Sequence, residues 1–403
     1  MRFLHTSDWH VGRVLRGRPR LDEQAAVLAE LVAHARDQAA DAVLVCGDVY
    51  DSSTPSAQAQ RLVVQTLLAL RGTGAQVVVL AGNHDHAATF DAYRPLMDVA
   101  GITVVGTPRR ADRGGVVTFR AASTGEQVRV AVLPFLSQRF AVRAVDLVQG
   151  TPAEHGARYD ELVRGVIGSL TAGFAPDAVN VVMAHLTVTG AVTGAGGERP
   201  AHTIFEYHVP AVAFPADAHY VALGHLHRRQ QVPAACPVHY CGAPYAVDFG
   251  EQDNTHVTLL VEATPTTPAR VTELPMRAGR RLRTVAGTVE ELAEAAAGFG
   301  DDYLRVDVTE PYRAGLTDEV RQVLPNALVV RIDPRFADPV HRPAAGRSAA
   351  RTPAELFADF CAERGIADPR LERLFATLSE SLHEDDPEDD PDDPAPVRDR
   401  ART

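Results

Sequence analysis

A chain of 403 residues exceeds the usual span of roughly 100 to 200 residues per domain, so two or three domains are expected. Its 45% hydrophobic and 23% charged residues suit a globular protein with a sizeable core and exclude a disordered or fibrous chain, and no window approaches the ~18 consecutive apolar residues of a transmembrane helix. The net charge of −12 excludes a general electrostatic grip on nucleic acid, but eight of the excess carboxylates crowd into residues 384–393, which leaves room for a local basic groove or for metal-mediated capture of phosphate.

The N-terminus, MRFLHTSDWH, is polar and runs directly into a motif rather than into a signal peptide, so a cytosolic protein is expected. Residues 2–7 read as a strand, and residues 21–39 carry Leu21, Leu28, Leu31, Val32 and Ala35 at helical spacing. The order repeats with an apolar run at 42–46, a helix opened by Pro55 and carrying Leu62, Val63, Leu67 and Leu70, and a further apolar run at 76–81. Unbroken apolar strands are covered on both faces, so this βαβαβ pattern predicts a parallel or mixed sheet flanked by helices. Further strands are expected at 128–133, 180–184, 219–223, 238–241 and 256–261, with one clear helix among them at 159–170.

Residues 263–270, ATPTTPAR, have the composition of a linker after a first domain at 1–262. Beyond them, residues 281–285, 289–297, 303–308, 316–323 and 328–332 alternate strand and helix, which predicts a small α/β domain over 270–335. A second linker spans 334–351, and residues 352–383 carry two amphipathic helices marked by Leu356, Phe357 and Phe360, then Leu371, Leu374, Phe375, Leu378 and Leu382. The acidic, proline-rich residues 384–403 are expected to be disordered. Cys46, Cys236, Cys241 and Cys361 match no zinc-site spacing and read as reduced thiols.

Five clusters carry the chemistry. Asp8 and His10 stand two apart at the exit of the first strand, where alternate side chains point the same way. Gly47-Asp48, with Asp51 three residues on, follows the second strand, and Gly82-Asn83-His84-Asp85 follows the third. His185 ends the run at 181–184, and Gly224-His225-Leu226-His227 ends the run at 220–223. Any one cluster alone reads as turn chemistry. Together they place metal-capable side chains at the carboxyl ends of five strands, where open α/β sheets bind ligands. Seven nitrogen and oxygen donors without a thiolate, Asp8, His10, Asp48, Asn83, His185, His225 and His227, favour Mn²⁺, Fe²⁺ or Zn²⁺, and one shared carboxylate suits a bridged pair of ions.

The series D-x-H, G-D-x-x-D, G-N-H-D, H and G-H-x-H resembles that of the calcineurin-like metallophosphoesterase superfamily, and GDVYDSSTP, ALGHLHRRQ and the segment 241–251 resemble SbcD-type exonuclease subunits within it. The resemblance implies an α/β sandwich of two mixed sheets flanked by helices, with a small α/β cap and C-terminal helices. It implies that Asp8, His10, Asp48 and His227 hold one ion and Asp48, Asn83, His185 and His225 the other, with Mn²⁺ the usual metal. By the same resemblance, His84 serves the transition state or the leaving oxygen, and the Asp51 carboxylate orients it. The implied activity is that of a DNA nuclease, a 3′–5′ double-strand exonuclease and single-strand or hairpin endonuclease in repair and recombination. The implied partners are DNA ends and an SbcC-type ABC/SMC-like ATPase docked through residues 352–383, with a homodimer inside a heterotetramer near the nucleoid. Arg13, Arg16, Arg18, Arg20, Arg228 and Arg229 follow two of the metal motifs and are candidates for DNA phosphate contact. Where the family commonly has serine, this chain has His86 and Ala243; neither change removes a ligand. A phosphatase, a cyclic-nucleotide phosphodiesterase or a non-catalytic DNA-end scaffold would share part of this pattern.

Overall fold

Every residue of the apolar run Ala42–Cys46 is buried, which requires cover on both faces of its sheet. The computed structural model describes residues 1–136, 152–193 and 208–336, together with Phe357 and Cys361. The chain divides into two compact units, Met1–Ala337 and Asp338–Thr403. In the second unit Phe357 and Cys361 are each helical; the remainder of the expected helices at 352–383, most of the linker at 334–351 and the acidic tail at 384–403 lie outside the described residues.

The first unit opens as predicted, with β1 (Arg2–Thr6), α1 (Leu21–Asp37), β2 (Ala42–Cys46), α2 (Ala57–Gly72) and β3 (Gln76–Leu80). It continues through α3 (Ala87–Val99), β4 (Ile102–Val105), β5 (Val116–Arg120), β6 (Gln127–Leu133), α4 (Pro152–Thr171), β7 (Ala178–His185), β8 (Tyr220–Gly224), β9 (Gln230–Val232), β10 (Val238–Tyr240), β11 (Val257–Thr264) and β12 (Thr267–Pro275). Two six-stranded mixed sheets result. The first has the order β12-β11-β1-β2-β3-β4, parallel from β1 to β4. The second has the order β9-β10-β8-β7-β6-β5, with β10, β8, β7 and β6 parallel and both edge strands antiparallel.

Alternation along the strands divides the burial. Val43 and Val45 face α1 and α2, while Ala42, Leu44 and Cys46 face the second sheet, where they meet Val181, Met183 and Ala222. Tyr159, Val163, Ile167 and Leu170 of α4 cover that sheet's outer face. Helix α2 starts at Ser56, whose hydroxyl accepts the Ala59 N–H. Between the sheets the buried His5 crosses the core, its Nε2–H donating to the Leu223 carbonyl at 3.1 Å and its Nδ1 lying 2.9 Å from the Tyr220 hydroxyl. Burial, with His239 nearby, holds this imidazole neutral, its pKa lowered to about 3. The partners it finds in the second sheet fix the relative position of the two sheets at the edge where the five clusters lie.

Helix α3 has no counterpart among the sequence expectations, because only Phe90 of it is buried and its apolar residues Leu96 and Val99 are 69% and 90% exposed. The expected linker at 263–270 is a correction: β11 turns into β12, and the first sheet extends to Pro275. An edge strand satisfies one side only, so it tolerates Pro268 and Pro275 and reads as a linker. The small α/β element then follows as expected, with β13 (Leu282–Gly287), α5 (Val289–Ala295), β14 (Tyr303–Val308), α6 (Leu316–Val323) and β15 (Ala327–Ile332). Its three strands are parallel in the order β13-β14-β15 around Leu292, Val306 and Val320.

This element is seated on the sandwich through Leu282 and Tyr303, which pack with Leu15, Ala246 and Phe249. Arg20 stands inside that junction. It is 2% exposed, donates to both Glu23 carboxylate oxygens at 2.9 and 2.6 Å and to the Ala246 carbonyl at 2.6 Å, and lies over the Tyr245 and Tyr303 rings. The expectation that Arg20 meets DNA phosphate is therefore corrected, since its guanidinium is consumed in a buried, bidentate ion pair. Arg20→Ala leaves the buried Glu23 charge without its ion-pair partner, with only the Arg280 N–H still donating to it, so equilibrium unfolding in denaturant is expected to show a loss of about 3–5 kcal/mol, with the Arg20→Ala/Glu23→Ala double variant losing less than the two single losses together.

Candidate metal centre

The carboxyl ends of β1, β2 and β3 in one sheet and of β7 and β8 in the other converge on a single edge of the sandwich. The loops interlock through their backbones, with Asp8 N–H donating to Gly47 O and His10 N–H to Asp48 O, each at 3.0 Å. Closeness of this order excludes a Cβ at two strand ends. A methyl at Gly82 would stand 2.2 Å from Asp48 Oδ1, and one at Gly224 would stand 1.9 Å from the Cys46 carbonyl oxygen. Asp8, His10, Asp48 and His225 all carry positive φ, at 55, 44, 49 and 101°. Non-glycine residues hold such angles only where the surroundings over-determine them, and that strain concentrates at functional sites.

The donor atoms of Asp8, His10, Asp48 and His227 lie within 4.8 Å of one another, as do those of Asp48, His185 and His225, so Asp48 belongs to both groups. Its Oδ2 is 3.7 Å from His10 Nε2 and 3.5 Å from His185 Nε2, while its Oδ1 accepts the His84 N–H at 2.8 Å. Asn83 Oδ1 lies 2.9 Å from both His185 Nε2 and His225 Nδ1, joining the second group. Asp8 Oδ1 accepts the His225 N–H at 3.0 Å, and Asp8 Oδ2 accepts the Ser7 hydroxyl at 2.5 Å.

Two features show that this set fits divalent cations. His10 Nε2 and His227 Nε2 stand 3.1 Å apart, a separation at which two lone pairs repel unless a proton or a metal ion is shared between them. The far nitrogens are also committed outward: His185 Nδ1–H donates to the Cys46 carbonyl at 2.8 Å and His227 Nδ1–H to Glu251 Oε1 at 2.7 Å, leaving both Nε2 lone pairs directed inward. Outer partners of this kind accompany metal-binding imidazoles, and the hard-to-borderline N and O donors suit first-row divalent ions.

Charge in this buried edge is strongly coupled. Burial alone would raise the Asp48 carboxyl, but His185, His10 and His84 hold it well below the ordinary range. Burial would lower His185, yet Asp48 draws it up to about 9. Asp85 is pushed up to about 6 by burial and by the neighbouring Asp48, although the N–H groups of Gly82, Tyr50 and Val49 all donate to its carboxyl. For protein freed of divalent cations, His185 exceeds its ordinary 6.5 and Asp48 falls below its ordinary 3.8, so the pair stabilises fully between those values. That contribution is expected to fade as pH rises from 6.5 through about 9, and again as pH falls through the depressed Asp48 value. Unfolding free energies measured with chelator present should show the alkaline decline in the wild type and not in His185→Gln; a flat wild-type profile would count against the coupling.

The structure brings all seven expected donors together, with His84 beside them, its ring centroid 4.7 Å from that of His10. Asp51 lies with His84 and His10, the donor atoms of the three within 4.8 Å of one another. His84 Nδ1 meets the main-chain carbonyl of Asp51 at 2.8 Å, and the Asp51 carboxylate lies 3.4 Å from His10 Nδ1 and 3.3 Å from Arg13. Of the remaining arginines, Arg16 is 57% exposed for its side chain, Arg18 and Arg228 are exposed, and Arg229 pairs with Glu273 at 2.9 Å. Sequence reasoning did not single out Asp85, Ser7, Glu251 or Phe135, whose ring lies 6.2 Å from that of His185. Asp85 closes the G-N-H-D motif and was open to notice; Glu251 lies 24 residues from His227, beyond any local spacing.

Residues 1–229 match the family model of the calcineurin-like phosphoesterases, and residues 278–364 match the model described as a type 5 capsule protein repressor C-terminal domain. The chain is 34% identical to the D subunit of the nuclease SbcCD from Bacillus subtilis (strain 168), over 80% of this chain and 79% of that protein. It is 35% identical to the corresponding SbcCD nuclease protein of Rhodobacter capsulatus, over 64% of this chain and 66% of that one. Against its counterpart from Escherichia coli (strain K12) the identity is 32%, covering 62% of each. Among the described residues no helix is long and apolar enough to cross a membrane.

Proposed function

The chain belongs to the calcineurin-like phosphoesterases, in the family of the SbcCD nuclease D subunits, and from that premise we propose that it is a metal-dependent DNA nuclease working with an SbcC-type ATPase in repair and recombination. The observation that carries the reading is the sharing of Asp48 between two groups of N and O donors at one buried sheet edge. Asp8, His10, Asp48 and His227 would hold one divalent ion, and Asp48, Asn83, His185 and His225 the other, with Mn²⁺ the expected metal. Bound there, the two ions would neutralise phosphate oxygens and acidify the attacking water.

The chain's own residues do the rest. His84 Nδ1–H is held by the Asp51 carbonyl, which leaves Nε2 to carry the proton toward the leaving oxygen of a phosphodiester. Nε2 lies 4.0 Å from Asp48 Oδ2, on the side of the donor groups. Asp85 ties the loop after β3 to the loop after β2 and so holds His84 over Asp48. Around the rim, the exposed Arg18 and Arg228 offer phosphate contacts, as does the exposed Arg16, whose guanidinium lies 3.8 Å from Asp248, whereas Arg13 and Arg229 are drawn into closer pairs with Asp51 and Glu273. The small α/β element beside the site would act as a cap facing DNA.

A homodimer is supported by the exposed apolar residues Leu68 of α2 and Tyr93, Leu96 and Val99 of α3, since exposed apolar side chains of this size are common at protein contacts. Docking of the ATPase through residues 352–383 is supported by their amphipathic pattern and by the C-terminal family match reaching residue 364.

His84→Ala is expected to lower Mn²⁺-dependent cleavage of a linear duplex by about 10²- to 10⁴-fold while two ions still bind. Cleavage that survives intact would remove His84 from the reaction, and a wild type that cleaves only phosphomonoesters would remove the nuclease reading. Deleting residues 352–403 should abolish co-purification with the ATPase yet leave Mn²⁺-dependent cleavage of a small phosphodiester; a retained complex would place the docking surface elsewhere.

A further inference from the structure

The short 3-10 turn Phe249–Glu251 touches both the candidate metal centre and the small α/β element. On the inner side, Glu251 is buried and accepts His227 Nδ1–H at 2.7 Å through Oε1 and the Val247 N–H at 2.9 Å through Oε2. On the outer side, Phe249 is buried against Leu282 and Tyr303, and the Arg305 guanidinium lies 5.4 Å over its ring. Next to the turn, Gln252 Oε1 accepts the Thr284 hydroxyl at 2.7 Å, and that hydroxyl oxygen accepts Arg305 Nε–H at 3.0 Å. Close packing from both sides leaves the turn little freedom to move at one end without moving at the other.

We propose that Glu251 is a positioning residue for His227, and that the Phe249–Glu251 turn transmits the seating of the small α/β element to the affinity of the cation held by Asp8, His10, Asp48 and His227. The inference rests on the two-cation reading given above. By accepting the Nδ1–H hydrogen bond, Glu251 fixes the tautomer in which the Nε2 lone pair faces the donor group, and its negative charge favours a cation on that nitrogen. The neighbouring group is built differently, because His185 is backed by the main-chain carbonyl of Cys46, inside the sandwich and away from the turn. Only one of the two ions should therefore respond to changes at the turn.

The test is Mn²⁺ titration of the full-length chain, followed by equilibrium binding and by electron paramagnetic resonance. The wild type is expected to take up two ions with a spin-coupled spectrum. Glu251→Gln keeps the side-chain shape but loses the charge, and should weaken one ion by about 10- to 100-fold while leaving the other at wild-type affinity. At intermediate Mn²⁺ its spectrum should be that of an isolated ion. Thr284→Val removes both hydrogen bonds outside the centre and should weaken the same ion by about two- to tenfold. Wild-type affinity for both ions in Glu251→Gln, or equal weakening of both, would overturn the positioning role. An effect in Glu251→Gln with none in Thr284→Val would overturn the transmission. A wild type that binds fewer than two ions would overturn the underlying metal reading instead, and that failure is visible before any variant is made.

Discussion

A carboxylate that is 1% exposed survives in its charged form only if positive or hydrogen-donating groups surround it, and Asp48 has both. His185, His10 and His84 approach Oδ2, and the His84 backbone N–H donates to Oδ1. These partners come from three other strand ends, so the charge of one aspartate is answered only when two sheets meet at the right edge. The requirement explains the glycines at Gly82 and Gly224, which let backbones approach to distances that a methyl group would forbid. It also explains why Asp85 is drawn toward neutrality, since a second ionised carboxyl beside Asp48 adds repulsion to a buried site.

The backbone carries part of the cost. Four donors, Asp8, His10, Asp48 and His225, adopt positive φ, a conformation that side chains with a Cβ resist. What holds them there is the rigidity of the layers behind, with β1, β2 and β3 in parallel register, β7 and β8 in parallel register, and His5 joining the two sheets through Tyr220 and Leu223. Stable sheets thus support an edge that would not hold its shape alone, and an unstrained edge would lack the converging donors. The same logic extends outward, where Arg20 and Phe249 seat the small α/β element against the sandwich next to the turn that supports His227.

Much of this was legible before any coordinates. Periodicity located β1, α1, β2, α2 and β3 to within a few residues, because each is a fully or one-sidedly buried element whose pattern is forced by its own neighbours. Motif spacing singles out Asp8, His10, Asp48, Asn83, His185, His225 and His227, since donors at strand exits keep fixed distances from the apolar runs that precede them, and the family resemblance adds His84. Elements with exposed or polar surfaces escaped notice: α3 hides one side chain, and the edge strand β12 has the prolines and threonines of a linker.

What the sequence determined by itself was the inventory, the donors and the strands that carry them, because both are written in local order. Tertiary structure alone decided the relations among them: that Asp48 stands between the two donor groups, that the Asp51 main-chain carbonyl meets the His84 ring, that Arg20 is buried against Glu23, and that Glu251 reaches back to His227. Each of these is a contact between segments brought together by packing. Local spacing records which way a side chain leaves its own strand, but only the meeting of two sheets and the small α/β element fixes what it finds there.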